Sequence, residues 1–260
     1  MSWQADWSPA RYREPVDHVG RFPLTTATSR DERERAAQVA VLPVGSFEQH
    51  GEHLPLITDA LVAQLIASTI AESYDLFLLP PLTISCSHEH AGFAGTVSLS
   101  ARTLHAVIED IRGSLRQSGI PRLVLVNGHG GNYVLSNIVQ EANVGRPTMT
   151  LFPTRTDWDT ARDNAGLETT THDDMHAGEL EVSLLLHAWP DLVGADYKSA
   201  DHVAERPLLL VHGVAGYAET GVIGRPSLGT AEKGGRVLES LTTSFVRHLE
   251  ALDELADGEA

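Results

Sequence analysis

The sequence contains very little of what disulfide-linked, membrane-spanning or nucleic-acid-binding proteins require. Cys86 is the only cysteine, so no intrachain disulfide can form and a reducing compartment is expected. No run approaches the ~20 apolar residues that cross a bilayer, and the start of the chain lacks the apolar core of a signal peptide. The 19 basic and 35 acidic residues give a formal charge of −16, which argues against DNA or anionic membranes as partners. We therefore expect a cytoplasmic protein.

Apolar runs and helical periodicities alternate along the 260 residues. This alternation predicts an α/β domain with a largely parallel sheet. Residues 1–35 are interpreted as an N-terminal extension and 36–255 as a single domain. The segment 153–174 lacks apolar periodicity, and we expect a loop over the site there, with Trp158 closing on the substrate. Strands are predicted at 38–45, 76–79, 123–127 and 148–152, and helices at 59–72, 102–118, 133–142, 177–188 and 231–252.

The loop after the first predicted strand, GSFEQHGEHLPLITD, is rich in carboxylates and imidazoles. Binding sites of open parallel sheets lie beyond the carboxyl ends of the strands, where this loop begins. Glu48 and His50 alternate, so in extended backbone both side chains point to the same side. Asp59 begins the next helix, where its carboxylate could cap the helix or bridge two cations. The cluster as a whole favours a metal site.

A second loop, NGHGGN, closes the strand at 123–127. Glycines on both sides of His129 allow the backbone to approach a ligand closely, and neutral imidazole is a common metal ligand. A phosphate-binding loop is disfavoured because the P-loop spacing and its lysine are missing. An α/β-hydrolase is disfavoured because the sequence has no Gly-x-Ser-x-Gly.

The segment DDMHAGELE adds His176, Glu179 and Glu181 near the start of a predicted helix. One of the two glutamates could complete the metal coordination, and either of them or His176 could move a proton to a departing nitrogen. The alternative interpretation is a helix start rich in acidic residues that favour the helix dipole.

A fourth segment, SCSHEHAGFAGT, follows the second predicted strand. Ser87 and His88 are predicted to line a substrate pocket. A thiol nucleophile formed by Cys86 and His88 is an alternative, although a lone cysteine more commonly packs as a small hydrophobic residue.

These motifs together resemble the creatininase family. The resemblance rests on GSFEQHGEHLPLITD, SHEHAGFAGTVSL, NGHGGN, HAGELEVSLLL and GVIGRPSLGTAEKG, in that order from about Val41 to Gly235. It implies a three-layer α/β sandwich around a mainly parallel sheet, assembled as a homohexamer. It also implies two divalent ions of zinc, manganese or iron, and hydrolysis of a carbon–nitrogen bond other than a typical peptide bond.

Residue by residue, the resemblance implies that Glu48 binds the first metal, His50 binds the second, Asp59 bridges the two and His129 completes the first site. It places His176 near the scissile amide.

One position departs from the pattern. Creatininase itself has a metal-binding glutamate two residues after the strand-tip histidine, where this chain has Gly131. We therefore expect a glutamate of HAGELE, Glu181 or Glu179, to replace it.

The expected substrate is a small cyclic or linear amide, which includes creatinine-like, formamide-like and short peptide substrates. Relatives with the GHGGN form include formamidopyrimidine deformylases and a peptidase that trims the mycofactocin precursor. One alternative is a peptidase that processes a mycofactocin-type precursor peptide. The alternative from another class is a non-catalytic protein that binds metal or a small molecule on the same fold.

Overall fold

Four parallel strands form the centre of the molecule. The computed structural model describes residues 24–253. The strands are β1 (Val39–Val44), β2 (Phe77–Leu78), β3 (Arg122–Asn127) and β4 (Met149–Phe152), in the spatial order β2-β1-β3-β4. Each neighbouring pair is parallel. The predicted parallel α/β sheet is confirmed.

Helices cover both faces of this sheet. Alternate residues of β1 point in opposite directions, so Val39 and Val41 enter one apolar core while Ala40 and Leu42 enter the other. The helices are α1 (Ser29–Arg35), α2 (Thr58–Tyr74), α3 (Ala101–Gln117), α4 (Val134–Ala142), α5 (Arg155–Ala165), α6 (Glu179–Ala188), α7 (Leu209–His212), α8 (Ala231–Ser244) and α9 (Val246–Asp253). The first core is shared with α2, α5, α6, α8 and α9, and the second with α3 and α4. The result is a three-layer sandwich.

The predicted loop at 153–174 is wrong over its first half, where α5 forms. Thr154 caps this helix by accepting from the Asp157 backbone N–H, and the Asp157 side chain accepts from Thr154 in return. Gly166 ends it in the left-handed conformation. Both signals are typical of helix ends. The sequence analysis missed the helix because α5 has too few apolar residues to show helical periodicity.

Other boundaries shift less. The predicted C-terminal helix divides at Phe245 into α8 and α9, and the helix predicted from residue 177 begins at Glu179. Part of the predicted N-terminal extension, residues 1–23, lies outside the described residues. Within the described part of the chain, no helix has the length and apolar character needed to cross a membrane.

Two glycines bring the start of α2 against the ends of the central strands. A Cβ at Gly45, directly after β1, would lie 2.3 Å from the Ala60 backbone, and one at Gly128, directly after β3, would lie 2.3 Å from the Asp59 carbonyl oxygen. Any side chain at either position would push α2 away. The glycines therefore hold Asp59 at the carboxyl edge of the sheet.

Candidate metal centre

The carboxylate of Asp59 lies between two imidazoles at this edge. Its Oδ1 is 3.0 Å from His50 Nε2, and its Oδ2 is 3.1 Å from His129 Nδ1. It does not cap the helix, because Ile57 is the N-cap residue of α2 and no side chain caps that end. Glu48 completes the group, with Oε2 3.3 Å from His129 Nε2. The structure thus brings together the four residues that the first two loops suggested.

Several polar atoms of this cluster are buried and unpartnered. Glu48 and His50 are fully buried, and Asp59 is 1% exposed. Both carboxylate oxygens of Glu48, Asp59 Oδ2 and His129 Nε2 make no hydrogen bond of acceptable geometry. Leaving a buried polar group unpaired costs about 1–3 kcal/mol, and more if it is charged. These oxygens therefore lack a hydrogen-bond donor within the described residues.

Carboxylate oxygens and imidazole nitrogens are donors that zinc, manganese and iron accept. Within residues 24–253, three groups of side chains each offer three ligand atoms that lie within 4.8 Å of one another. The donor set and its spacing fit divalent ions. The groups are Glu48–Asp59–His129, His50–His176–Glu181 and Glu48–His90–His176.

The two glutamates of α6 have different surroundings. Glu181 Oε1 lies 3.9 Å from His50 Nε2, and Ala177 N–H donates to Glu181 Oε2 at 2.6 Å. Glu179 points away, because two residues along a helix correspond to a rotation of about 200°. Its carboxylate binds Lys233 Nζ at 2.5 Å and accepts from the backbone and hydroxyl of Thr169. Glu181 joins the cluster and Glu179 does not.

Burial and mutual repulsion shift the protonation of the cluster. Burial, with a contribution from the Asp59 charge, raises the pKa of Glu48 to about 8. Burial likewise raises the pKa of Glu181 to about 7. Burial would lower the pKa of His50, but Asp59 overrides it and raises the pKa to about 9. Without cations, the site therefore holds protons near neutral pH.

Comparison with known proteins identifies the family. The sequence profile of the creatininase family (creatinine amidohydrolase) matches residues 24–249. The chain belongs to the creatininase family. It is 35% identical, over 86% of its length and 89% of the relative's, to the mycofactocin precursor peptide peptidase of Mycolicibacterium smegmatis. It is 31% identical to the creatinine amidohydrolase of Pseudomonas putida, over 63% of this chain and 69% of that one.

The fold agrees with this assignment. A solved structure described as "Creatininase Mn" superposes with a TM-score of 0.73 at 26% identity, covering 86% of this chain and 96% of that one. The predicted three-layer creatininase-like fold is therefore confirmed. As a member of this family the protein is a hydrolase.

Two residues of the cluster escaped the sequence interpretation. The short 3₁₀ helix His88–His90 places His90 Nε2 3.1 Å from Glu48 Oε1 and Glu89 Oε1 3.3 Å from His129 Nε2. A Cβ at Gly131 would lie 1.7 Å from Glu89 Oε1, so the glycine provides the space that this carboxylate occupies. The signal was the sequence HEH, from which only His88 was selected.

The residues predicted to contact substrate are spread more widely. His88 lines the larger of two neighbouring cavities, and its Nδ1 lies 3.1 Å from Ser98 Oγ. Ser87 is fully buried. Trp158 lies in α5 and packs against the apolar core, because α5 replaces the expected loop; the structure does not bring it to the cluster. Cys86 is buried in the other core, and burial raises the pKa of its thiol, which disfavours a thiolate nucleophile.

Two neighbouring cavities lie at the cluster. One of about 120 Å³ is lined by His90, His129, His176 and Glu181, among others. The other, of about 460 Å³, is largely apolar. Four residues line both, namely Glu89, Gly131, Tyr133 and Leu209. The larger cleft therefore adjoins the space at the cluster.

Proposed function

We propose that this protein is a dinuclear metal-dependent amidohydrolase that cleaves a carbon–nitrogen bond of a small cyclic or linear amide. The observation that carries the proposal is the set of buried, unpartnered oxygens on Glu48 and Asp59. Glu48, Asp59 and His129 would hold one divalent ion, whereas His50, Asp59 and Glu181 would hold the other. Zinc, manganese and iron all suit these donors.

The bound ions would lower the pKa of water from 15.7 toward ~7 and polarise the amide carbonyl. The chain's own contribution is to hold its ligands in the right protonation form. His50 Nδ1 donates to the Glu48 backbone carbonyl at 3.0 Å, which leaves the lone pair on Nε2 facing Asp59.

His176 is the residue best placed to move a proton. Its Nε2 donates to the Gln49 carbonyl at 2.6 Å, so the free lone pair is on Nδ1, 3.7 Å from Glu48 Oε1. His176 is also within the 120 Å³ cavity lining. Burial and the neighbouring imidazoles of His50 and His90 hold the pKa of His176 well below its ordinary value. A proton taken at Nδ1 would therefore pass readily to the departing nitrogen. Glu179 receives no part in the chemistry, because Lys233 and Thr169 already occupy its carboxylate.

A short peptide is the second candidate substrate. The 460 Å³ cleft beside the cluster has room for substrate groups beyond the reacting amide, and the 35% identical relative is named as a peptide peptidase. A creatinine-sized molecule would use the smaller cavity alone. The two candidates therefore differ in whether the cleft contributes to binding.

The test begins with metal removal by a chelator, followed by reloading with zinc, manganese or iron and a count of ions per chain. The reloaded protein is assayed against creatinine, N-formyl compounds and short peptides. We expect two ions per chain and hydrolysis of at least one class only after reloading. Cys86→Ser should retain this activity. Two bound ions without hydrolysis of any class would favour a metal-binding protein, and a dead Cys86→Ser with chelator-resistant activity would favour the thiol hydrolase.

We also propose a cytoplasmic homo-oligomer, with a hexamer as the expected form. Leu210 and Val211 in α7 expose 78% and 72% of their surface, which is unusual for large apolar side chains next to a site. Light scattering of the purified protein measures the assembly, and a monomer would contradict this proposal.

A further inference from the structure

Gln49 lies between two proposed metal ligands, Glu48 and His50, yet its side chain has no part in the chemistry described so far. Its side chain is buried, at 5% exposure, and its amide has three polar neighbours. Oε1 accepts from the Gly51 backbone N–H at 2.9 Å. Nε2 donates to the Gly221 carbonyl at 3.1 Å and lies 2.8 Å from His90 Nδ1.

These neighbours fix the orientation of the amide. If its oxygen and nitrogen were exchanged, the oxygen would face the Gly221 carbonyl and the NH₂ group would face the Gly51 N–H. Both contacts would then be repulsive. The amide NH₂ must therefore point at His90. A Cβ at Gly221 would lie 2.0 Å from Gln49 Oε1, so this glycine leaves the space that the arrangement needs.

The orientation of Gln49 determines where His90 carries its proton. Because Gln49 donates toward Nδ1, that nitrogen must be an acceptor and cannot carry a hydrogen. Both the Nδ1–H tautomer and the doubly protonated ring are thereby excluded. The one remaining form has its proton on Nε2, the atom 3.1 Å from Glu48 Oε1.

A nitrogen that carries a proton cannot bind a metal ion, since the ligand must offer a lone pair. On the other side of the ring, Nδ1 is occupied by Gln49. His90 is thus unsuited to be a ligand, although it belongs to one of the three groups with metal-like spacing. Glu48 Oε1 makes no other hydrogen bond within the described residues, and the His90 Nε2–H, 3.1 Å away, is positioned to donate to it.

We propose that Gln49 and His90 form a positioning pair that orients Glu48 for its metal ion, and that Glu48–His90–His176 is not a third metal site. The inference rests on the proposed function to the extent that Glu48 binds a cation. Residues that support a metal ligand in this way commonly change metal affinity by 10- to 100-fold when they are removed.

The first experiment needs no substitution at the pair. ¹⁵N spectra of histidine-labelled protein, recorded with zinc bound, report which nitrogen of each ring is protonated. The His90 signals are identified by their loss in His90→Gln. We expect a protonated Nε2 and an unprotonated, hydrogen-bonded Nδ1. A protonated Nδ1, or the shifts of a metal-bound nitrogen, would overturn the proposal.

The second experiment measures zinc affinity by competition with a chelator. His90→Leu and Gln49→Met should bind the wild-type number of zinc ions, with at least one bound about 10-fold more weakly. His90→Gln should recover most of the affinity, because its amide can still donate to Glu48. The matched control is His105→Leu, which removes an exposed histidine 3.2 Å from the Glu141 carboxylate and should change nothing.

The outcomes separate the alternatives. Loss of one zinc ion in both His90→Leu and His90→Gln would make His90 a ligand and refute the positioning role. Unchanged affinity in His90→Leu and Gln49→Met would refute it as well. A wild-type protein that binds no divalent ion would instead contradict the proposed function, whatever the variants do.

Discussion

Two buried carboxylate clusters lie on opposite sides of the first turn of α6, and they differ in how well their oxygens are paired. On one side Glu179, fully buried, receives Lys233 Nζ at 2.5 Å, two backbone N–H groups and the Thr169 hydroxyl. On the other side, both oxygens of Glu48 and one of Asp59 have no satisfactory partner.

The pKa values follow this difference. Burial alone would raise the pKa of Glu179, but Lys233 and Thr169 hold it below its ordinary value. At Glu48, burial and the Asp59 charge outweigh the nearby imidazoles and the Ser46 hydroxyl, and the pKa rises to about 8. Burial is thus common to both clusters, whereas incomplete pairing of the oxygens distinguishes the cluster that contains Glu48 and Asp59. Five measurements can break or sharpen this contrast.

The largest effect is expected from Asp59→Ala. Asp59 faces His50 with one oxygen and His129 with the other, so its loss removes a ligand shared by both proposed ions. We expect neither ion to bind at stoichiometric concentration and hydrolysis to be abolished. Metal analysis after gel filtration checks this. Two ions per chain in the variant would contradict a bridging role for Asp59.

Glu179→Gln should affect stability and leave metal binding intact. Removing one partner of a buried ion pair costs about 3–5 kcal/mol, and Lys233 is only 16% exposed. We expect the free energy of unfolding in urea to fall by about 3 kcal/mol, with two ions still bound at saturating zinc. Loss of metal at unchanged stability would reverse the assignment of the two clusters.

The same pair makes a pH prediction for stability. Because the pKa of Glu179 is lowered on folding, its contribution is present above the ordinary value of 4.5 and is lost as pH falls below it. As pH falls through this range, the free energy of unfolding should therefore decrease less in Glu179→Gln than in the wild-type protein.

At the cluster that contains Glu48 and Asp59, metal affinity should also depend on pH, over a range higher than the one in which Glu179 titrates. In the metal-free protein Glu48, Glu181 and His50 have pKa values of about 8, 7 and 9. These groups must lose their protons before they bind a cation. Apparent zinc affinity should therefore rise steeply from pH 6 to 9, with proton release detectable by calorimetry in two buffers. A zinc affinity that does not change with pH would contradict these pKa shifts.

The smallest effect is expected from Glu168→Ala. Glu168 also contacts Lys233, at 3.1 Å, but its side chain is 64% exposed. Solvent screening reduces such pairs to about 0–1 kcal/mol. Urea unfolding should show a loss below about 0.5 kcal/mol, far less than for Glu179→Gln. A loss of similar size in both variants would show that burial does not explain the difference.

The sequence predicted the parts of the site that local patterns encode. Apolar runs located the strands, so the residues directly after them, Glu48, His50 and His129, could be placed at one edge. Asp59 followed from its position at the start of the next helix. The parallel sheet followed from the alternation of strands and helices, and the three-layer arrangement followed from the family resemblance.

The remaining parts depend on contacts between segments far apart in the chain. Glu89 reaches the cluster through the space at Gly131, and His90 is oriented by Gln49 and Gly221; neither relation leaves a local pattern. The sequence did not decide between Glu179 and Glu181, because the partners of Glu179, Lys233 and Thr169, lie 54 and 10 residues away from it.

The close packing at Gly45 and Gly128 has a consequence for how this scaffold can change. Backbone atoms, not side chains, set the distance between α2 and the two strand ends, so the floor of the site has almost no freedom to adjust. One wall of the larger cleft comes instead from α7 and the turn that follows it, where substitutions do not alter this backbone packing. Substitutions in α7 and the turn after it can therefore change which substrates fit, while the packing of α2 that holds Asp59 in place stays the same.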